Sequence, residues 1–514
     1  MRDRFPILLE CLVLAAAAIS VVAPTLGSTE VPGTGVDLHG TLWFHWWLPH
    51  ALVEGLDPRT TDLFFHPLGK DLFTHTGMNL VDAALSAPFQ WVFGHPGYLG
   101  PFTAAVLVAN GLAFRPLVAD WELGPRLVGC LAFALSPYAL GEIASGRTAQ
   151  ACLFTVPLAI HLALRCSRPG WRSPVLLGVA TAATGWIYWF YGYFLALGLA
   201  WVLVHQAVVS RDRAGLARRW LVAVVVGTAG VAPAVVPMLV AAAAGAVPLL
   251  HGGAAAPTPP VVGSVLSPAI AAATLIWLFV GRQRSLWAPM ALLMVAVVAG
   301  RFPGRVLNPM YALMDNVPFW ERLAFPYRAL GVAALPLAWI LADLARRWGR
   351  VLGSVVVGAV VAVGAAPFVP APTQDVSVPE LLLALEPGGF IGLPIESAGA
   401  LVAWQPLLQE PLFGGMGATA EALWPAGFAE RRATGFVKAL ELAASARAPQ
   451  AYEDDDVLAL RAEGFRYVVY QAPADGGPRA RAARKRLDSL LGPALGEQGP
   501  LVVWDMARLS GGVR

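Results

Sequence analysis

A carboxylate followed two residues later by an imidazole, Asp37 and His39, opens the segment G-V-D-L-H-G-T-L-W-F-H-W-W-L-P-H-A-L-V-E-G-L-D-P-R-T-T-D-L-F-F-H-P-L-G-K-D-L-F-T-H-T-G. Its density of Asp, His and aromatic residues is unusual for a mere connector. Trp43, Phe44, Trp46 and Trp47 are expected on a short helix lying in a membrane interface, which leaves Asp37 and His39 close to the surface. A carboxylate held there can act as general base toward a hydroxyl or amine acceptor while the leaving group stays in lipid. The same residues also suit a plainer reading, with the Trp cluster only an anchor and Asp37 a helix cap.

Other candidates are spread along the chain. Asp71, in the turn-like H-P-L-G-K-D-L, is a second carboxylate of the first segment. Histidines 39, 45, 50, 66 and 75 match no H-E-x-x-H or other compact ligand spacing, so no metal or other cofactor is expected. In G-E-I-A-S-G-R-T-A-Q, Glu142, Arg147 and Gln150 fall where two short helices should end near one surface. Arg147 can pair with Glu142 or contact a phosphate or sugar. Farther on, W-E-R-L-A-F-P-Y-R sets Arg322 and Arg328 at the mouth of an apolar run, where guanidinium groups can bind a phosphodiester or anchor a lipid headgroup.

These residues need elements to hold them, and composition says which. Hydrophobic residues make up 57% of the 514 and charged residues 13%, against about 25% charged in a soluble chain. A water-soluble fold is excluded. The expected class is a membrane all-α body over 1–369, with a large external loop at 28–97, followed by a small soluble α/β domain over 370–514. The tail carries strand-like runs at Gly389 to Ile395, Phe465 to Tyr470 and Pro500 to Asp505, with helical patterns between them. It has no P-loop, G-x-S-x-G or G-x-G-x-x-G pattern, and no catalysis is assigned to it. The four cysteines lack C-x-x-C spacing. Arginines confined to short joints, with a formal net charge of only +3, give no nucleic-acid signal.

A crossing helix needs about 20 apolar residues, and by that criterion about eleven runs qualify: Ile7 to Gly27, Tyr98 to Val118, Arg126 to Gly141, Gln150 to Arg165, Pro174 to Trp189, Tyr191 to Val208, Trp220 to Val240, Gly263 to Gly281, Leu286 to Gly300, Tyr327 to Ala345 and Val351 to Val369. Arg-rich joints at 165–172, 211–219, 282–284 and 346–350 mark the cytoplasmic side. Parity then requires Leu80 to Gly94 to lie outside, interfacial or re-entrant. The N-terminus is expected in the cytoplasm of a cell whose inner membrane holds the chain, and the first loop, Asp37, the late arginines and the tail outside. Arg301, Arg305, Arg322 and Arg328 break the charge rule on that outer side, which calls for anionic partners.

A first span, an external loop opening with Asp a few residues past it, many further spans and an external C-terminal domain resemble the GT-C superfamily of membrane glycosyltransferases, which includes protein O-mannosyltransferases and lipid A aminoarabinose transferases. The order G-V-D, G-L-D-P, H-P-L-G-K-D-L, F-W-E-R-L-A-F-P-Y-R and F-R-Y-V-V-Y is similar to uncharacterised bacterial proteins of this kind. The resemblance implies an inverting transferase of the hexosyltransferase class. It would take a sugar from a polyprenyl-phosphate donor to a glycan, lipid or protein acceptor of the envelope, among membrane lipids and without nucleic acid. Asp37 would be its general base, and Arg322 and Arg328 its donor-phosphate contacts. Many members have paired acidic residues where this chain has Asp37, Leu38 and His39. Two other readings are a transporter or flippase for lipid-linked glycan and a scaffold for envelope assembly. A transporter would line its path with ionisable groups, whereas the runs carry few beyond Glu10, Arg115 and Asp343.

Overall fold

In lipid no water is available to the backbone, so a spanning segment must satisfy its own N–H and C=O groups, and a helix does so. The apolar runs of this chain accordingly fold as helices in the computed structural model, which describes residues 4–72, 80–243, 268–281, 284–298, 326–349, 351–397, 399–416, 424–433, 435–473 and 476–509. Helices α1 (Arg4–Val22), α2 (Val36–Glu54), α3 (Leu80–Phe93), α4 (Leu99–Phe114), α5 (Leu123–Ala134), α6 (Pro137–Ala144), α7 (Thr148–Ala151), α8 (Thr155–Arg165), α9 (Arg172–Ile187), α10 (Trp189–Val209), α11 (Arg213–Ala243), α12 (Pro268–Val280), α13 (Arg284–Val298), α14 (Leu330–Arg347) and α15 (Leu352–Ala365) follow in order.

Two units divide the chain: Met1–Asp37 with Gly77–Gln374, and Leu38–Thr76 with Asp375–Arg514. This differs from a cut near residue 370, because most of the first loop packs with the tail.

Among the described residues of the first unit, seven helices are long and apolar enough to cross a membrane: Pro6–Thr25, Leu99–Val118, Leu123–Ala144, Thr148–Arg165, Trp189–Val209, Arg213–Pro237 and Tyr327–Arg347. The expected spans at α9, α12, α13 and α15 are helical but run only 13 to 16 residues. Helix α3, with 14 residues, reaches roughly 21 Å at 1.5 Å per residue and is too short to span. The expected span from Arg126 lies within Leu123–Ala144 and is interrupted at Ser136, which caps the next helix by accepting from the Ala139 N–H, with Pro137 at its first turn. Helix α14 is almost wholly buried and packs on α5 and α13.

The end of this unit where α1 starts is closed by buried charge. Glu10 accepts from Arg115 Nε at 2.6 Å and from Arg126 Nε at 2.6 Å. Asp343 accepts from Arg347 Nε and Trp277 Nε1, both at 2.9 Å. Arg219 Nε donates to the Cys166 carbonyl at 2.7 Å. Among the described residues, Glu10 and Asp343 are thus locked in ion pairs rather than strung along a path.

The second unit holds the body of α2 and a four-stranded sheet ordered β5 (Gly389–Leu393), β6 (Phe465–Gln471), β8 (Leu501–Asp505) and β7 (Gly496–Gln498). Strand β5 runs parallel to β6 and the other pairs are antiparallel. The Trp cluster is not an interfacial anchor. Trp43 is fully buried, stacks on Trp47 at 5.2 Å and meets Phe64 at 4.3 Å, so the indoles form core of this unit. A short hairpin, β2 (Thr60–Thr61) with β3 (Lys70–Asp71), joins the same unit. On it Lys70 is buried with Nζ donating to the Met416 carbonyl at 2.8 Å.

Candidate active site at one end of the helical unit

Asp37 reaches its place through a pinned loop. Gly33 (φ +99°) lies so close to the turn after α6 that a Cβ there would meet the Ile143 carbonyl oxygen at 2.3 Å, a position open only to glycine. Thr34 N–H donates to the Ala144 carbonyl at 3.0 Å, and Gly33 N–H to the Pro372 carbonyl at 2.7 Å. Strand β1 (Glu30–Pro32) pairs with β4 (Thr373–Asp375), and Thr373 Oγ1 donates to Glu30 at 2.6 Å. The chain therefore enters α2 beside the α6–α7 turn, with Asp37 in the first helical turn where the dipole favours an anion.

Across that turn, Arg147 donates from Nη1 to Asp37 Oδ2 at 3.1 Å and from Nε to Glu142 Oε2. Glu142 is fully buried, while the Asp37 side chain stays 53% exposed. Burial alone would lower the Arg147 pKa, but the Glu142 carboxylate beside it, with Asp37 adding to it, holds the guanidinium above the ordinary arginine value. Arg147 thus bridges a buried carboxylate to an accessible one. Of the two readings of Arg147 in the sequence, the pairing with Glu142 is the one the structure contains.

Arg328, buried at the start of α14, lies over the rings of Tyr188 at 5.1 Å, Phe190 at 5.7 Å and Tyr327 at 5.9 Å. It is within electrostatic range of Glu142, Arg147 and Asp37. Beneath this shelf Tyr138 and Tyr191 join hydroxyls at 2.6 Å, and Tyr191 donates to the Gln150 carbonyl at 2.5 Å. Two carboxylates and two guanidiniums thus gather at one end of the unit, opposite the Glu10 end. A guanidinium on aromatic faces and a base-capable carboxylate suit a phosphate leaving group and a deprotonated acceptor.

Beside the shelf, α9, α10 and α11 line a half-open apolar cavity of about 490 Å³, with Leu177, Trp189, Leu199, Ala223 and Val231 among its walls. Trp189 stands against Phe190 at 3.9 Å, so the cavity comes up to the ring on which Arg328 rests.

The other sequence candidates fall elsewhere. His39 points its ring at Gly399 of the second unit, where a Cβ would lie 2.7 Å from Nδ1, and burial holds its pKa down to about 4. It is a packing histidine, because its helix turns it toward the tail's α16 (Gly399–Leu408). Asp71 is exposed on β3, also in the second unit. Arg301, Arg305, Arg322 and His75 lie outside the described residues. Among the described residues no group of three or more His, Cys, Asp or Glu is placed to hold a metal. The tyrosines were missed. Tyr188 and Tyr191 lie in the aromatic run W-I-Y-W-F-Y-G-Y, the one local signal for them.

The fold of the chain is similar to that of a solved arabinofuranosyltransferase. The arabinofuranosyltransferase AftD from Mycobacteria is similar with a TM-score of 0.58 and 15% identity, over 96% of this chain and 40% of that one, so this chain spans well under two thirds of its length. ArnT from Cupriavidus metallidurans is also matched, in the apo state and bound to undecaprenyl phosphate, at 14% identity and TM-scores of 0.44 and 0.46, over 96% and 98% of this chain and 97% and 99% of those. Neither a protein-family model nor a curated protein matches the chain at the level of sequence. The likeness is one of fold.

Proposed function

We propose that this chain is an inverting membrane glycosyltransferase of the hexosyltransferase class that moves a sugar from a polyprenyl-phosphate donor to an envelope acceptor, with Asp37 as general base. The observation that carries this reading is the half-exposed Asp37 carboxylate, hydrogen-bonded to Arg147 at 3.1 Å, in the field of a second guanidinium, Arg328, which lies over Phe190, the ring neighbour of the cavity-lining Trp189. An amphiphile with a phosphate head and an isoprenoid tail fits that combination of charge and grease.

In the step proposed, Asp37 takes the proton of the acceptor hydroxyl or amine. The acceptor atom bonds to the anomeric carbon from the face opposite the phosphate, and the bond from that carbon to the phosphate oxygen breaks. The electron pair leaves on polyprenyl phosphate, whose negative charge Arg328 offsets. The paired Glu10 and Asp343 supply no ionisable path, which weighs against a transporter. On this reading the Asp37 end faces outward from the inner membrane, opposite the arginine-rich joints, and the N-terminus is cytoplasmic.

The test supplies the purified protein with a radiolabelled polyprenyl-phosphate sugar and cell-envelope acceptors. Wild type is expected to consume donor and Asp37→Ala to lose transfer by about 10²- to 10⁴-fold. Full transfer by Asp37→Ala would remove the general base from this mechanism, and a wild type that consumes no donor would reject transferase activity.

A further inference from the structure

Three buried polar atoms around the Tyr138–Tyr191 pair have no hydrogen-bond partner among the described residues: the Tyr188 hydroxyl, Thr148 Oγ1 and Gln150 Oε1. Buried polar atoms in native proteins are nearly always paired, so each unpaired one calls for a reason. Tyr188 is the one extended residue (φ −159°, ψ 110°) between α9 and α10. The break turns its side chain under Arg328, with its ring 5.0 Å from that of Tyr191 and only 6% of its surface exposed. Thr148, fully buried, and Gln150 follow Arg147 directly on α7, and Tyr191 fastens the Gln150 carbonyl at 2.5 Å. These three buried atoms thus come from two segments next to the site: Tyr188 has its ring under Arg328, and Thr148 and Gln150 stand on the short helix that follows Arg147.

Their chemistry narrows the ligand. Gln150 Oε1 can only accept, so its partner must donate, which an ionised phosphate cannot do. The hydroxyls of Tyr188 and Thr148 donate or accept and carry no charge. A ring bearing several hydroxyls meets all three demands, while an acyl chain meets none and an ionised phosphate meets the two hydroxyls but not Gln150 Oε1.

We propose that Tyr188, Thr148 and Gln150 form the subsite that reads the hydroxyl groups of the transferred sugar, with Tyr188 as its specificity-determining residue. The proposal rests on the glycosyltransferase reading for the name of the ligand, but its chemistry stands on the unpaired atoms themselves. The sugar lies with its anomeric carbon between the phosphate at Arg328 and the acceptor at Asp37, and its ring hydroxyls face the three side chains. A donor lacking the hydroxyl that Tyr188 meets loses one hydrogen bond, worth a factor of about five to ten.

The experiment uses the full-length protein in detergent, as wild type, Tyr188→Phe and Thr148→Val. Saturation-transfer NMR reads the binding of a panel of methyl pentosides and hexosides, and transfer is assayed with the labelled donor and its monodeoxy analogues. Wild type is expected to saturate at least one glycoside and both variants to weaken it. Tyr188→Phe is expected to lower kcat/KM about five- to tenfold with the full donor and to show no further loss with one monodeoxy donor that costs wild type the same factor. Its melting temperature should equal or exceed that of wild type, because the lost hydroxyl has no partner among the described residues. Glycoside binding without transfer would reject the enzyme reading and leave the sugar subsite standing. Wild-type transfer with unchanged binding and kinetics in both variants would overturn the subsite, as would a marked drop in the Tyr188→Phe melting temperature.

Discussion

Arg147 Nη1 donates to Asp37 Oδ2 at 3.1 Å across 110 residues of chain, while the Nε of the same guanidinium is held by buried Glu142. This one contact ties the first turn of α2 to the turn after α6. It leaves Asp37 in reach of solvent and gives it a charged neighbour whose own position is set from below.

Asp37→Asn keeps size and shape and removes the base. Transfer is expected to fall by about 10²- to 10⁴-fold, with thermal stability within about 1 kcal/mol of wild type, since a half-exposed ion pair contributes little. Parallel rate and melting measurements check both. A variant that melts far lower would mark Asp37 as a structural cap.

Glu142→Leu is expected to do the reverse. It leaves the Arg147 guanidinium, only 16% exposed, without its buried counter-charge, and breaking such a pair costs about 3–5 kcal/mol. Thermal unfolding in detergent should show it plainly. A neutral result would mean that water replaces the carboxylate.

Gly33→Ala touches no chemical group of the site, yet its Cβ would lie 2.3 Å from a backbone oxygen at a φ of +99°. Backbone must move, at a cost of about 1–3 kcal/mol, and Asp37 moves with it. The variant should lose transfer more than tenfold while Gly27→Ala, where a Cβ meets nothing within 4 Å, should not. Equal activity in the two would break the link between the pinned loop and the base.

Burial pulls Lys70 from its ordinary 10.5 down to about 7, and His39 from 6.5 down to about 4. In both cases the unfolded chain binds more protons between the two values, so stability rises with pH across each window. The slope is about 1.4 kcal/mol per pH unit for one group. Between pH 7 and 10 the stability of wild type relative to Lys70→Met should therefore climb, and between pH 6.5 and 4 wild type should weaken relative to His39→Phe. Melting curves collected across pH would reveal a flat difference if either group stayed solvated in the fold.

Much was legible from residues alone. The length of an apolar run answers to bilayer thickness, a local demand, and helices stand at each of the expected stretches, although only seven are long enough by the stricter measure. The Glu142–Arg147 pair was legible too, because five residues across a tight turn leave few other partners. The tail strands β5, β6 and β8 announced themselves by β-branched and aromatic runs, whereas three-residue β7 was too short to read.

The sequence by itself determined that this chain is a multi-pass membrane protein, and it supplied Asp37, Arg147 and Arg328 as chemical types near helix ends. Only the tertiary structure decided which of them meet. His39 and Trp43 went into the second unit because their partners Gly399 and Phe64 stand there, and an indole packs in a core as readily as it anchors in an interface. Tyr188, Tyr191 and Tyr138 joined the site because helices α6, α9, α10 and α14 converge on it. Spans that are apolar on every side carry no period to mark an inward face. Convergence over more than a hundred residues is a property of packing, which no local pattern records.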